Sequence, residues 1–252
     1  MISRLLRSCA VGLYVAAVVV LMFSVPADMQ AQGAGPSPQA DAPIDLTGTW
    51  VSLVNEDWHL RMVTPARGDY SGVPLNDEGR RIADSWDPAA DEAAGEACKA
   101  YAAPAILRVP TRLNITWESD MTLRMDTDAG MQMRSFRFDQ TPAGSEPTWQ
   151  GHSTAEWVVT GGEFGVPGGG HLKVVTTNLR PGYLRKNGVP FGGDGVMTEY
   201  FYIFNEANGD TLLFVITMFE DPQYLSDPLA MSQQFKKIPD GSGWNPTPCS
   251  AR

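Results

Sequence analysis

VMTEYFYIFNEANGDTLLFVITMFEDPQYLSDPLAMSQQFKK, Val196–Lys237, is the stretch on which the fold turns. Two strongly apolar segments, Val196–Phe204 and Thr211–Phe219, flank Asn205–Asp210, whose Asn-Gly-Asp is the composition of a tight reversal between antiparallel strands. A third segment, Met231–Ile238, follows a loop bounded by Pro222 and Pro228. Val196, Thr198, Tyr200, Tyr202 and Phe204 share one face of the first strand; Met197, Phe201 and Ile203 share the other, with Glu199 among them. Thr211–Phe219 is apolar on both faces as well. A sheet with one wet face would alternate cleanly, so both faces are expected to be covered.

Working outward from the hairpin, upstream segments of the same kind succeed one another. Arg112–Glu118, Met121–Thr127, Met131–Phe138, Ala155–Thr160 and His171–Leu179 are short, alternating and separated by turns such as Ser119-Asp120 and Asp128-Ala129-Gly130. Asp45–Leu53 opens the series with Gly48-Thr49-Trp50, and Trp58–Val63 extends that strand or forms a second one. The pattern changes between Thr64 and Pro104. Asn76–Trp86 reads as a helix with Asn76 at its N-cap, acids in the first turn and Pro88 beyond its end; Asp91–Tyr101 reads as a second. With no βαβ alternation, eight to ten short strands make a mainly β fold. The expectation is an antiparallel up-and-down barrel with a short helical insert after the first strand. Its interior would hold the ligand, and the insert or a partner subunit would cover the other face.

The first residues read differently. Met1–Arg7 carries two arginines and no acid, Ser8–Val25 is almost wholly apolar, and Val25-Pro26-Ala27 suits a peptidase. Residues 1–27 are expected to be a secretory signal peptide, the competing reading being an uncleaved membrane anchor. Residues 28–43, rich in Ala, Gly, Pro and Gln, read as a disordered linker before a barrel domain over 44–252. The expected location is periplasmic or secreted, with no stable membrane anchor after cleavage. The chain has 29 acids against 19 bases. Losing Arg4 and Arg7 leaves 17 bases, a net charge of −12. Such a chain, without a Lys/Arg cluster, is a poor partner for nucleic acid or anionic lipid. Of three cysteines, Cys9 leaves with the leader, so Cys98 and Cys249 are expected to form a disulfide pinning the tail to the insert.

Leu46-Thr47-Gly48-Thr49-Trp50 contains the glycine–any–tryptophan signature that resembles lipocalin and calycin barrels. The chain also resembles a group of secreted bacterial proteins with an opening L-T-G-x-W, a T-E-[R/Y]-F strand and a D-P-x-x-Y-x-x-P turn. The corresponding residues here are Thr198-Glu199-Tyr200-Phe201 and Asp221–Pro228. The resemblance implies an exported, single-domain, barrel-like protein and no particular chemistry.

Three candidate sites follow. Arg180, Tyr183, Arg185 and Lys186 cluster in a Gly/Pro-rich loop, Arg180–Asp194; the two arginines suit a carboxylate or phosphate, or the loop is solvated and paired with nearby acids. Glu199, with Tyr200, Glu220, Asp221 and Tyr224, is the second. An inward Glu199 would have a raised pKa and serve as acid or base, or it pairs with an arginine such as Arg134 or Arg185. His59, His152 and His171, with Glu156, lack the HxH or HExxH spacing of a zinc site. No metal or cofactor is called for. Seven tryptophans and eleven methionines fill a core, or line a pocket for a small hydrophobic or aromatic ligand. The leading expectation is therefore a small, mainly apolar ligand held by Arg180, Tyr183, Arg185, Glu199, Tyr200 and Tyr224. The alternatives are a cofactor-independent isomerase, lyase or hydrolase using Glu199 or a histidine, and a structural or partner-binding envelope protein. The oligomeric state is not legible.

Overall fold

A computed structural model describes residues 36–160 and 169–251. The expected signal peptide and the first part of the expected linker lie outside the described residues. Nine strands close into a barrel: β1 (Gly48–Leu53), β2 (Arg112–Ser119), β3 (Thr122–Thr127), β4 (Met133–Arg137), β5 (His152–Val159), β6 (Gly170–Thr177), β9 (Val196–Asn205), β10 (Thr211–Glu220) and β11 (Leu229–Ile238). Between β6 and β9 the chain makes a separate two-stranded hairpin, β7 (Gly182–Arg185) and β8 (Val189–Phe191). Each barrel strand lies beside its sequence neighbour, and β11 pairs with β1 to close the ring, which leaves no free sheet edge.

The strictly up-and-down, antiparallel expectation is corrected at one seam. β4 and β5 pair in parallel, through Phe136↔Ser153 and Arg137↔Thr154. A parallel pair requires the chain to return to the end from which it started. The connection Phe138–Gly151 does this, and Phe138 packs between Trp117 and Trp157 with ring centroids 5.7 and 5.5 Å away.

The hairpin that opened the sequence reading forms in full register from Thr211↔Asn205 to Glu220↔Val196. Its odd-numbered face points inward. Met197, Glu199 and Phe201 on β9 and Leu213, Val215 and Phe219 on β10 are at most 1% exposed. Phe201, Leu213 and Val215 pack with Trp50, Leu113, Ile115, Met125, Phe136, Leu172, Val174 and Phe235 from the other strands, all fully buried. The barrel's inner face is therefore lined by its own large, buried side chains. On the outer face the chain itself leaves Val196, Phe204 and Ile216 37%, 50% and 43% exposed.

The segment between β1 and β2 is helical, but more broken than expected. Trp58–Val63 is not a strand: its first four residues form α1 (Trp58–Arg61). α2 (Asp77–Asp84) is capped by Asn76, whose side chain accepts from Gly79 N at 2.8 Å. The second expected helix, Asp91–Tyr101, divides between α3 (Pro88–Ala93) and a single 3-10 turn (Lys99–Tyr101), and a further short helix, α4 (Ala103–Ile106), follows it. Pro88 and Pro104 each occupy a first helical turn, where the missing N–H is not needed. This insert and the β7–β8 hairpin build a second core, with Tyr70, Val73 and Leu75 against Leu184, Val189 and Phe191. That core rests on Met197, Phe219 and Leu229, so it closes one end of the barrel.

Cys98 and Cys249 form a disulfide with Cα atoms 5.1 Å apart. The tail it holds also runs beside Asp128, through Thr247 N to Asp128 O at 2.8 Å. Residues 36–43, read as linker, lie against the barrel: Trp157 Nε1 donates to Pro38 O at 2.7 Å, and Gln39 N to Asp120 O at 3.2 Å.

Candidate ligand site

The basic loop Arg180–Asp194 is ordered as the β7–β8 hairpin and lies on the insert, at the closed end of the barrel. Gly188 shows why the sequence permits this docking. Its φ is +83°, and a Cβ there would lie 2.2 Å from Trp86, so only glycine allows both the turn and the approach. Asn187 then donates to the carbonyls of Ala66 and Asp69 at 3.1 and 2.8 Å.

The basic residues of this hairpin have different employments. Arg180 stacks on Trp149, 4.5 Å from the ring centroid, and pairs with Glu96. Tyr183 donates to Asp91 Oδ2 at 2.9 Å, and burial, then that bond, pushes its hydroxyl above the usual range. Both residues fasten the hairpin to the insert and match the reading of a loop paired with acids. Lys186 lies over the Tyr101 ring at 4.8 Å.

Arg185 is different. It lines two adjoining cavities of about 360 and 380 Å³, and Arg108 lines both with it. The first is also walled by Arg61 and Lys186, with Leu60, Val63, Pro65 and Val109 as apolar surface. Its twelve lining residues include four basic side chains and no acid. The second has Glu56 and Asp57 on its wall, and apolar surface from Leu184, Ile216 and Leu229.

Three guanidiniums thus converge from α1, from the end of the insert and from β7. Arg61 and Arg108 are each only 9% exposed. Arg108 Nη2 donates to Asp57 Oδ2 at 2.9 Å, and Arg61 Nε donates to Arg108 O at 3.0 Å. Asp57 holds this place with a left-handed backbone, φ +49°, a conformation that aspartate tolerates better than most residues. Its carboxyl is held below the usual range, first by the hydrogen bond from Arg108 and then by nearby positive charge, against the opposing effect of burial. Burial, then the charge of Arg108, lowers Arg61 to about 10, so it remains a cation at neutral pH. The same two causes lower Arg185, with Asp57 and Asp69 opposing them. Arg61 Nη2 and Arg185 Nη1 are buried and have no hydrogen-bond partner among the described residues. A buried donor in that condition costs about 1–3 kcal/mol, more when charged.

The other expected ligand residues lie elsewhere. Glu199 points into the barrel and is gripped by Arg134, Nη1 to Oε1 at 3.0 Å and Nη2 to Oε2 at 2.5 Å. Both side chains are 1% exposed. Arg134 Nη2 also reaches Thr176 Oγ1 at 3.2 Å, and that hydroxyl meets Ser153 Oγ at 2.8 Å. This is the arginine-paired reading of Glu199, and it occupies a polar layer of the core. Tyr200, the next residue, faces outward near His171, 5.8 Å between ring centroids.

Tyr224 belongs to the turn after β10 and comes three residues after Asp221, one fewer than the group's turn pattern has. Its carbonyl accepts from Asn76 N at 3.0 Å, tying the turn to the insert. Asp221 caps that turn, accepting from Gly192 N at 2.8 Å and Gln223 N at 3.1 Å; burial raises its pKa against those bonds. The three histidines lie on α1, β5 and β6. Among the described residues no three His, Cys, Asp or Glu side chains gather to hold a metal.

Of the six expected ligand residues, then, only Arg185 walls the two cavities. Arg61 and Arg108 were missed. Arg108 had a signal: it is the one charge in the apolar run Ala102–Val109, where a charged side chain needs a specific reason to be. Arg61 had none. Comparison of the chain with protein-family models, curated proteins and solved structures finds no match.

Proposed function

We propose that this chain is an exported protein that binds a small molecule, in the two-lobed cleft bounded by the helical insert, the β7–β8 hairpin and the ends of barrel strands β10 and β11. The observation that carries the reading is the pair of cavities sharing Arg108 and Arg185 as a common wall. Each is within the size range of small-ligand sites and combines apolar surface with a few converging polar groups. Export is supported by the basic-then-apolar leader sequence and by the disulfide, a bond that persists in oxidising compartments. Acid–base catalysis by Glu199 loses its support, because Arg134 occupies both carboxylate oxygens.

Native mass spectrometry of the protein purified from its own host tests the reading. A retained species of small-molecule mass is expected. If host-purified protein carries none, and no compound in a broad thermal-shift screen stabilises it, the reading falls. A partner-binding role has one observation in its favour, the exposed Phe204 and Ile216 on the barrel's outer face. Recovery of a stoichiometric protein complex from the host, with no small molecule, would favour that role.

A further inference from the structure

We propose that the smaller cavity takes the oxyanion of a small organic acid, a phosphate monoester or a carboxylate, between Arg61, Arg108 and Arg185. The apolar body of the ligand lies on Leu60, Val63 and Val109. The inference rests on the small-molecule reading above and names the ligand's chemical class.

Charge distribution is the first argument. The chain carries a formal net charge of −10, yet this cavity is walled by four basic side chains and no acid. Asp57, paired with Arg108, is the only carboxylate bound to any of the three guanidiniums among the described residues. Glu56 and Asp69 act on them from farther away. Among the described residues, the three guanidiniums therefore share a single bound carboxylate.

Unfilled hydrogen bonding is the second, independent argument. Arg61, nine-tenths buried, leaves Nη2 without an acceptor, and Arg185 leaves Nη1 without one. A fold that needed these residues only for packing would place apolar side chains there, because an unpaired buried cation is unfavourable. Guanidinium groups present a planar fork of donors that matches carboxylate and phosphate oxygens. An oxyanion supplies both the missing acceptors and the missing charge. The aliphatic surface of Leu60, Val63 and Val109 in the same cavity accounts for an organic acid rather than a bare ion.

The test uses phenyl phosphate, benzoate, inorganic phosphate and the uncharged benzyl alcohol, with thermal shift and calorimetry. Phenyl phosphate or benzoate is expected to raise the melting temperature, and benzyl alcohol is not. The ratio of the two acids' affinities identifies the oxyanion. R185M is expected to weaken the preferred acid at least about tenfold, the loss of one charge-assisted pair. Without ligand it should melt no lower than the parent, since it removes an unpaired buried donor. R61M should repeat the loss of affinity, although it also removes the bond from Arg61 Nε to Arg108 O, so its melting temperature without ligand is not part of the test. Equal stabilisation by benzyl alcohol overturns the oxyanion assignment while leaving small-molecule binding intact. Inorganic phosphate binding as tightly as phenyl phosphate overturns the role given to the apolar wall. Variants that keep full affinity overturn the assignment of the arginines. Absence of binding by all four compounds, beside a neutral molecule retained from the host, overturns the inference alone. The same absence with no retained molecule overturns both readings.

Discussion

Glu199 and Arg134 come from strands 65 positions apart and meet in the barrel's middle as a bidentate pair. Removing one partner leaves an uncompensated buried charge; removing both does not. Arg134→Met is therefore expected to cost about 3–5 kcal/mol in urea unfolding, whereas the double variant with Glu199→Met recovers most of that loss. Equal losses in the single and double variants would show that the pair matters only as packing. His171 offers a second test at this scale. Burial, then Lys173, lowers its pKa from 6.5, and its ring lies 4.7 Å from that of Tyr202. The unfolded chain therefore takes up the proton more readily, so the contribution of His171 is present above pH 6.5 and is lost as pH falls through the depressed folded value. Imidazole NMR should give a midpoint below 6.5 in the folded protein, and one at or above it would refute the assignment. The residue types at these positions were legible in sequence, and pairing with Arg134 was one of two partners foreseen for Glu199. Which arginine it took depended on the register of β4.

Among the elements, the insert was legible in its first half and less so in its second. Asn76 with acids behind it marks a helix start whatever surrounds it, because the cap is a local hydrogen bond. Asp91–Tyr101 has helical composition but divides at Gly95, where φ is +73°, and the chain restarts as a 3-10 turn. Trp58–Val63 has the apolar content of a strand. Four of its residues form one helical turn, a segment too short for periodicity to discriminate. The disulfide fastens this insert to the tail across 151 residues. In the chain-entropy model a loop of that length is worth about 5 kcal/mol. Cys98→Ala/Cys249→Ala is expected to lower the unfolding free energy by several kcal/mol and to expose the tail after Asn245 to proteolysis first. A variant as stable as the parent would assign the tail's position to its contacts with Asp128 alone.

For the whole molecule, closure of the sheet explains why β9 and β10 lack a clean polar face. One face forms the barrel core, and the other carries aromatic pairs such as Phe204–Phe214, 5.0 Å between centroids, in partial contact with solvent. The doubly apolar pattern was rightly read as a closed sheet, but it does not distinguish a covered outer face from an exposed one. Nor does it distinguish a hollow barrel from a filled one, since inward Phe, Leu and Val suit both. In the closed nine-strand barrel those inward side chains are buried. The two cavities that share Arg108 and Arg185 lie outside the ring, where the insert and the β7–β8 hairpin meet imperfectly over the barrel's end.

The positions of the barrel strands, their turns, the capped helix and the closed mainly β architecture followed from the sequence alone, because each depends on local periodicity and turn chemistry; the short strands β7 and β8 did not. The parallel β4–β5 seam did not, because alternation with period two reads identically in either strand direction. Nor did the meeting of Arg61, Arg108 and Arg185. They stand 47 and 77 residues apart on separate elements, and no spacing rule links side chains whose proximity is set only when the insert docks.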